Sequence, residues 1–239
     1  MSKIPTATRS RSGLSNWYRD DLAWIHHTGF SELAESAAPW LIRNLPRGLI
    51  VDVGCGSGVL ARELTRAGFD VLGYDASPSM IALARVTAPN ARFEVGAFGD
   101  IDIPPCAAII ATGEVFNYGH RDQLASFVRR VRTKMMIFDI AERGSYPKHD
   151  ERRTGGDDWS VIAIKDSDGE RLTRRVLTFR RIDGEIRRSE EVHEMELYER
   201  EDVKAMLRDT GFTVRIRRSY GTYRLPVGHN VYIARWREG

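Results

Sequence analysis

The sequence predicts an α/β protein whose central element is a parallel sheet covered on both faces by helices. Short apolar strands alternate with helical segments between residues 49 and 140, and strict alternation of this kind gives a parallel sheet with helices on both faces. A glycine-rich turn follows the first strand, and the second strand ends in an acid. With 239 residues, the chain is expected to form one domain that carries an insertion.

The turn after the first strand is the most informative stretch of the chain. Residues 49–53 are largely apolar and β-branched, as in a strand buried on both faces. Gly54, Gly56 and Gly58 then allow positive φ and leave bare backbone close to a ligand, and the next helix directs its N-terminal amides at the same space. Asp75 ends the second strand, where a carboxylate suits the hydroxyls of a ribose. Together these features predict a nucleoside-binding site.

The glycine spacing separates two classes of nucleoside-binding protein. A dinucleotide site uses Gly-x-Gly-x-x-Gly, whereas this chain has Gly-x-Gly-x-Gly preceded by Asp52. The stretch from Asp52 to Gly58 resembles the first motif of class I S-adenosylmethionine-dependent methyltransferases, Asp-x-Gly-x-Gly-x-Gly, at every fixed position. The resemblance implies a Rossmann-like, doubly wound sheet of seven strands with the last strand antiparallel, and S-adenosylmethionine as the cofactor. An oxidoreductase that binds a nicotinamide nucleotide is the alternative from another class.

The remaining elements follow in the order that such a fold requires. Residues 1–15 are polar and expected to be disordered or loose, and residues 16–45 show two helical patterns that would form a lid over the nucleoside site. Ser77 and Pro78 are typical of a helix start. Further strands are predicted at 92–95, 107–111 and 135–140, with a helix at 122–132. A helix at 201–209 and strands at 212–218 and 231–236 resemble the closing antiparallel pair of the family.

An insertion at residues 143–198 is predicted to form a three-stranded antiparallel flap. Its strands are expected at 159–165, 171–182 and 185–198. The dipeptides Asp168-Gly169 and Asp183-Gly184 between them suit type I′ hairpin turns. Such a flap resembles the small-molecule branch of the methyltransferases, in which it covers the acceptor. An oligomer contact and a mere decoration of the fold are the alternatives.

The family resemblance implies cofactor contacts position by position. It places the glycine loop near the methionine portion, Asp75 near the ribose, and the segment around Ala97 near the adenine. The implied cofactor-binding residues are Tyr18, Asp52, Gly54, Cys55, Gly56, Gly58, Asp75, Ala76, Met80, Ala97, Phe98, Thr112 and Gly113.

Acceptor contacts are expected from the loop after the fourth strand, because open α/β sheets bind ligands at the carboxyl ends of their strands. The candidates for acceptor binding are Glu114, Asn117, Tyr118 and His193. Alternation in the third flap strand places Glu191, His193 and Met195 on one face. A general base is useful only if the acceptor is a hydroxyl or a protonated amine. The candidates for that role are His26, Glu114, Tyr118 and His193, and the sequence does not choose among them.

Composition argues against several other functions. The formal net charge of +3 is too small for a nucleic-acid footprint, and arginine pairs such as Arg174-Arg175 are interpreted as solvated strand faces. Two cysteines and no clustered ligands argue against a disulfide framework and a metal site. No apolar run reaches the roughly 20 residues that cross a bilayer, so a cytoplasmic protein without a membrane partner is expected.

These patterns predict an enzyme that transfers a methyl group from S-adenosylmethionine to nitrogen or oxygen, rather than carbon, of a small-molecule acceptor. The protein is expected to be a monomer or a homodimer. Two further functions stay open. A methyltransferase acting on protein or RNA would present a wide basic groove, and a non-catalytic protein would bind S-adenosylmethionine without an acceptor.

Overall fold

The computed structural model describes residues 17–237, and its strands form two main sheets. In chain order the strands are β1 (Leu49–Val53), β2 (Asp70–Asp75), β3 (Arg92–Val95), β4 (Ala108–Ala111), β5 (Met135–Ala141), β6 (His149–Gly155), β7 (Trp159–Ser167), β8 (Arg171–Ile182), β9 (Glu185–Glu196), β10 (Phe212–Arg217), β11 (Ser219–Tyr220), β12 (Tyr223–Arg224) and β13 (His229–Trp236).

The central sheet has seven strands in the order β10-β13-β5-β4-β1-β2-β3. The first five strands of the chain pair in parallel, and β13 is antiparallel to both of its neighbours. This arrangement confirms the predicted doubly wound sheet with an antiparallel last strand. It also brings the loops after β1, β2 and β4 to one edge of the sheet, where open α/β folds bind ligands.

Helices cover both faces of the central sheet. They are α1 (Asp20–Gly29), α2 (Glu32–Asn44), α3 (Val59–Arg66), α4 (Pro78–Thr87), α5 (Arg121–Arg130) and α6 (Arg200–Asp209), with a 3-10 turn at Val115–Tyr118. Successive β1 residues point to opposite faces. Ile50 therefore packs in one core cluster with Leu64 of α3, and Val51 in the other with Phe127 of α5. Ser77 caps α4 as predicted, because its hydroxyl accepts the Met80 amide at 3.1 Å.

The second sheet contains four antiparallel strands, β6 to β9, rather than the three that the sequence predicts. The additional strand, His149–Gly155, is mostly exposed and consists largely of charged residues. It has no apolar alternation to reveal it, and it forms through backbone pairing with β7. The flap over the site is therefore wider than predicted.

The two hairpin turns of this sheet differ from each other. Asp183 and Gly184 both have positive φ, +51° and +87°, as a type I′ turn requires. Asp168 instead accepts the amides of Glu170 and Arg171 through its side chain, and Gly169 has positive φ. The turn at residues 168–170 is thus a three-residue loop, and the type I′ prediction for it is wrong.

Only one of the two N-terminal helices lies against the second sheet. Helix α1 contacts β8 and α4, whereas α2 packs on α3 and on the β11–β12 hairpin. Of the lid predicted at residues 16–45, only residues 17–29 lie against the second sheet; they are called the lid below, and α2 packs in the main core. The disorder predicted for residues 1–15 falls outside the described residues. Among residues 17–237, no helix has both the length and the apolar character needed to cross a membrane.

Candidate functional site

The three glycines after β1 have different roles. All have positive φ, between +54° and +78°. A Cβ on Gly54 would lie 2.4 Å from Val115, and one on Gly58 would lie 2.9 Å from the Ala84 backbone, so these two allow close packing. A Cβ on Gly56 would meet nothing within 4 Å. Gly56 is therefore the position at which the loop opens onto free space.

Asp75 lies beside this opening. Its Oδ2 accepts the Gly56 amide at 2.9 Å, and its Oδ1 accepts the Ser77 amide at 2.9 Å. Burial raises the pKa of Asp75 to about 6, although both amide hydrogen bonds act in the opposite direction. Each carboxylate oxygen keeps a second lone pair, so the residue can still accept ribose hydroxyls.

Asp52 is a buried carboxyl without a hydrogen-bond partner. It is 1% exposed, and neither side-chain oxygen has a partner among the described residues. Burial, followed by the charge of Asp75, raises the pKa of Asp52 to about 8. An unpaired buried acid is unfavourable in a folded protein unless a ligand completes it. The ammonium of an amino-acid group would do so, and S-adenosylmethionine carries one. The residues present thus fit this donor.

The lid is fastened directly onto the glycine loop and the start of α4. Ser77 donates its hydroxyl to the Tyr18 carbonyl at 2.6 Å, and Ser79 donates to Asp20 at 2.6 Å. A third contact joins His27 Nδ1 and the Ser57 hydroxyl at 2.9 Å. The lid therefore closes the space that Gly56 opens.

The loop after β4 is held by Asp139 of β5. The buried Asp139 carboxylate accepts the amides of Gly113 and Glu114, each at 2.9 Å, and the Tyr220 hydroxyl at 2.8 Å. Burial raises the pKa of Asp139 to about 6, against these hydrogen bonds. Glu114 has a left-handed φ of +62°, which costs about 1–2 kcal/mol for a residue with a side chain. The loop thus presents Glu114 toward the second sheet.

A cavity of about 510 Å³ lies between the lid, the second sheet and the loop after β4. Its wall is largely apolar, with polar groups at one end. The lining residues are Tyr18, Leu22, His26, Phe30, Glu114, Ser145, Tyr146, Pro147, Asp150, Arg152, Val161, Ala163, Lys165, Arg174, Val176, His193, Pro226, Val227 and His229.

Glu114 is the centre of the polar end. Its Oε2 lies 3.2 Å from the Arg174 guanidinium and accepts the Tyr146 hydroxyl at 2.9 Å, while its Oε1 lies 3.4 Å from His229 Nδ1. Burial acts to raise the pKa of Glu114, but Arg174 and His229 outweigh it and hold that pKa below its usual value. Glu114 is therefore a carboxylate at neutral pH.

The predicted base candidates occupy different places around the cavity. His193 lies in the wall with its ring almost fully buried, and Tyr118 lies beside it. His26 also lines the cavity, and its Nδ1 has no partner among the described residues. Burial, then the charges of Arg174 and His27, lowers the pKa of His26 to about 4, so this imidazole is neutral.

Several predicted site residues lie apart from these groups. The Phe98 ring packs on Phe116 and Phe127 in the core, so an adenine contact there would use backbone rather than the ring. Asn117 donates to the carbonyls of Ala141 and Glu196 and accepts the Ala141 amide, which commits its side chain to joining the two sheets. Of the other predicted cofactor residues, Met80 is buried in the first turn of α4 and Cys55 is buried in the glycine loop. Ala76, Ala97, Thr112 and Gly113 are half-buried or exposed loop residues.

Sequence reasoning missed four residues of the site: Tyr146, Arg174, Glu191 and His229. The interpretation of Arg174 as a solvated residue is wrong, since it shares the inner face of β8 with the buried Leu172 and Val176. That alternation was the one signal available in the sequence. Arg175, its neighbour, is exposed as expected.

Comparisons with known proteins agree with this architecture. A protein-family model described as a methyltransferase domain matches residues 50–135, which run from β1 to the start of β5. The ubiquinone biosynthesis O-methyltransferase of Methylobacterium sp. (strain 4-46) is 36% identical over 87 residues, or 34% of this chain and 33% of that enzyme. The chain thus spans about a third of the length of this curated relative.

Two solved structures share the fold over most of the chain. A crystal structure of an S-adenosylmethionine-dependent methyltransferase from Clostridium acetobutylicum has a TM-score of 0.76 at 17% identity, covering 90% of this chain and 98% of that one. The sugar N-methyltransferase from Streptoalloteichus sp. has a TM-score of 0.72 at 18% identity and covers 100% of both chains. The chain therefore has the fold of S-adenosylmethionine-dependent methyltransferases, and its residues 50–135 match the methyltransferase-domain model.

Proposed function

We propose that this protein transfers a methyl group from S-adenosylmethionine to an oxygen or nitrogen of a small molecule. The observation that carries the proposal is the 510 Å³ cavity, which is lined by Tyr18 and His26 of the lid and by polar groups such as Glu114. The same lid contacts the glycine loop through His27 and Ser57. Cavities of this size suit small organic ligands. The relatives named above include an O-methyltransferase and a sugar N-methyltransferase, and both are consistent with it.

On the donor side, the chain supplies binding and orientation. Asp52 would pair with the ammonium of the donor, Gly56 would leave room for it against bare backbone, and Asp75 would accept its ribose hydroxyls. When bound, S-adenosylmethionine supplies a methyl group already activated by the positive sulfur. The protein then has to align the acceptor with that methyl and exclude water.

On the acceptor side, the cavity favours a molecule with an apolar body and a polar end. Leu22, Phe30, Val161 and Val176 form apolar wall, whereas Glu114 and its partners form the polar end. The lid is held against the second sheet beside this cavity, because Asp21 pairs with Arg187 and Arg180. A cavity of this size supports a small acceptor better than a protein or RNA substrate, which would need a wide groove.

Binding and turnover can be tested separately. Calorimetric titration with S-adenosylhomocysteine and with NAD identifies the nucleoside, and binding of NAD alone would refute the proposal. Incubation with S-adenosylmethionine and a library of phenols, alcohols and amines, read by the mass gain of one methyl, identifies the acceptor class.

Glu114→Gln tests the polar end of the cavity in the same assay. This variant is expected to lower turnover while leaving S-adenosylhomocysteine affinity intact. His149→Asn changes an exposed residue that pairs with Asp166 on the second sheet and is the control. Methylation of added protein or RNA, with none of the library compounds, would favour the other acceptor class.

A further inference from the structure

Glu191 joins the lid to the acceptor cavity. Its carboxylate, 3% exposed, accepts the backbone amides of Tyr18 and Arg19 at 2.6 and 2.9 Å. The same carboxylate lies 3.1 Å from His193 Nε2. Glu191 therefore holds both the imidazole and the first lid residues.

The hydrogen bonds around His193 determine its tautomer. A carboxylate can only accept, so His193 Nε2 carries the proton that Glu191 receives. His193 Nδ1 is then left as an acceptor, and it lies 3.4 Å from the Tyr118 hydroxyl. Arg174 can only donate, and its guanidinium lies 3.4 Å from the same hydroxyl oxygen. Of these two neighbours, only His193 can accept the Tyr118 hydrogen.

Tyr18 continues this series of side-chain contacts from Tyr118 to the cavity wall. Its hydroxyl lies 3.3 Å from that of Tyr118, and its side chain lines the cavity. Burial raises the pKa values of both Tyr18 and Tyr118 above the usual value, despite the opposing charge of Arg174. The two phenols thus stay protonated. Each phenol can transfer a proton, but neither remains as a negatively charged phenolate.

We propose that Tyr18, Tyr118 and His193 form a proton relay from the acceptor cavity, in which His193 receives the proton and Glu191 is its positioning residue. The inference rests on the proposed function and narrows its substrate class. An acceptor that needs this relay has a nucleophilic atom that carries a proton, as a hydroxyl or a protonated amine does. Acceptors without such a proton, including tertiary amines and thioethers, gain nothing from it.

The proton balance of the step is complete. The acceptor oxygen or nitrogen forms a bond to the methyl carbon as the bond from that carbon to sulfur breaks. The acceptor proton passes to the Tyr18 hydroxyl, the Tyr18 proton passes to Tyr118, and the Tyr118 proton passes to His193 Nδ1. The product is an imidazolium held between Tyr118 and the Glu191 carboxylate, and S-adenosylhomocysteine leaves as a neutral thioether.

Charged groups of both signs lie around His193. Glu191, on the same strand, is negative. Arg174, the direct register partner of His193 on β8, is positive, and Glu114 pairs with it. Tyr18 from the lid and Tyr118 from the 3-10 turn are neutral. Trp17 contributes only an aromatic ring, 6.0 Å from the imidazole centre.

The tautomer can be measured without an acceptor. Histidine-selective 15N labelling of the full chain saturated with S-adenosylhomocysteine should show His193 with Nε2 protonated and Nδ1 unprotonated, assigned by its loss in His193→Asn. Tyr118→Phe should keep this tautomer and shift only the Nδ1 resonance. Glu191→Gln should mix the two tautomers, because an amide can donate as well as accept. A protonated Nδ1 beside an unprotonated Nε2 in the unaltered protein would overturn the relay.

Kinetics on the first library compound that is methylated test the catalytic step. His193→Asn should lower kcat by about 100-fold or more without changing S-adenosylhomocysteine affinity, and the loss should shrink as pH rises and the acceptor ionises unaided. A loss that is equal at every pH would assign His193 a structural role and overturn the proposal. Failure of every compound with the unaltered protein would instead contradict the proposed function, while the tautomer spectrum still decides the relay geometry.

Discussion

Asp75 accepts the amide of Gly56 at 2.9 Å, so the acid at the end of β2 and the open glycine of the loop after β1 are fixed to each other. We expect Asp75→Ala to weaken S-adenosylhomocysteine binding by about 1.5–3 kcal/mol, the value of a hydrogen bond to a charged group. This corresponds to roughly a 10- to 150-fold rise in the calorimetric Kd. Asp70→Ala, at the exposed start of the same strand, is the control. An unchanged Kd for Asp75→Ala would mean that the ribose lies elsewhere.

Gly56→Ala should separate backbone strain from steric blocking of the donor site. The added Cβ is forced into a φ of +54° and into the open space beside the loop, so both stability and S-adenosylhomocysteine affinity should fall. Gly184→Ala is a matched control, with a φ of +87° and nothing within 4 Å of its Cβ. It should lose stability by a similar amount, about 1–2 kcal/mol, and keep its affinity. Equal affinities in the two variants would argue against a donor at Gly56.

Asp52→Asn should stabilise the ligand-free protein and weaken its ligand binding. Burial raises the pKa of Asp52 from 3.8 to about 8 in the folded state. The folded protein therefore holds a proton that the unfolded chain has released, and stability falls as pH rises from about 4 to about 8. Between pH 6.5 and 8.5, Tm should fall less steeply with pH in Asp52→Asn than in the unaltered protein.

The same variant tests the proposed ammonium contact. At pH 8 the charged Asp52 should strengthen binding of S-adenosylhomocysteine, so Asp52→Asn should show a higher Kd although its Tm is higher. Asp100→Asn, in an exposed turn position, should change neither the Kd nor the pH dependence of Tm. Parallel Tm profiles for Asp52→Asn and the unaltered protein would show that Asp52 is not the group that titrates.

Arg187→Ala should loosen the lid. Arg187 forms a bidentate contact with the buried Asp21 of α1, and Arg180 approaches the same carboxylate at 3.5 Å while lying over the Trp24 ring. Loss of Arg187 should shift the opening equilibrium of α1 toward the open form, while Arg180 keeps part of the contact with Asp21. Hydrogen exchange of residues 20–29 measures it.

Arg188 provides the control for this change. It is the next residue, points to the other face of β9 and pairs with the exposed Glu190. Arg188→Ala should leave exchange in α1 unchanged. Identical exchange in the two variants would show that the Asp21 cluster does not hold the lid.

The central sheet and the glycine loop could be predicted because local signals specify them. Buried parallel strands are short and apolar, glycines mark the positions with positive φ, and alternation in β9 placed Glu191, His193 and Met195 correctly on the inner face. The strand β6 could not be predicted, because its charged, exposed residues form a strand only when β7 supplies a backbone partner. The contacts of Asn117 could not be predicted for a similar reason. Its hydrogen bonds to Ala141 and Glu196 exist only once both sheets are assembled.

The ionisable network of the acceptor cavity was the hardest part to foresee. Glu114, Tyr146, Arg174 and His229 come from four separate segments, and their pairing depends on tertiary structure. No spacing along the chain reports it. The structure places the loops after β1, β2 and β4 at one edge of the sheet. The contacts of individual residues with S-adenosylmethionine stay predictions.

The Glu191 carboxylate accepts two lid amides and contacts one imidazole, and this has a consequence for engineering of the protein. Residues 17–29 and the four-stranded sheet contact each other through Glu191 and Asp21. Neither segment is therefore expected to pack correctly against its counterpart from another protein. A chimera designed for new acceptor selectivity should therefore take residues 17–29 and the four-stranded sheet from the same parent protein. If the sheet alone is exchanged, we expect a protein that still binds the nucleoside but whose acceptor cavity is open to water.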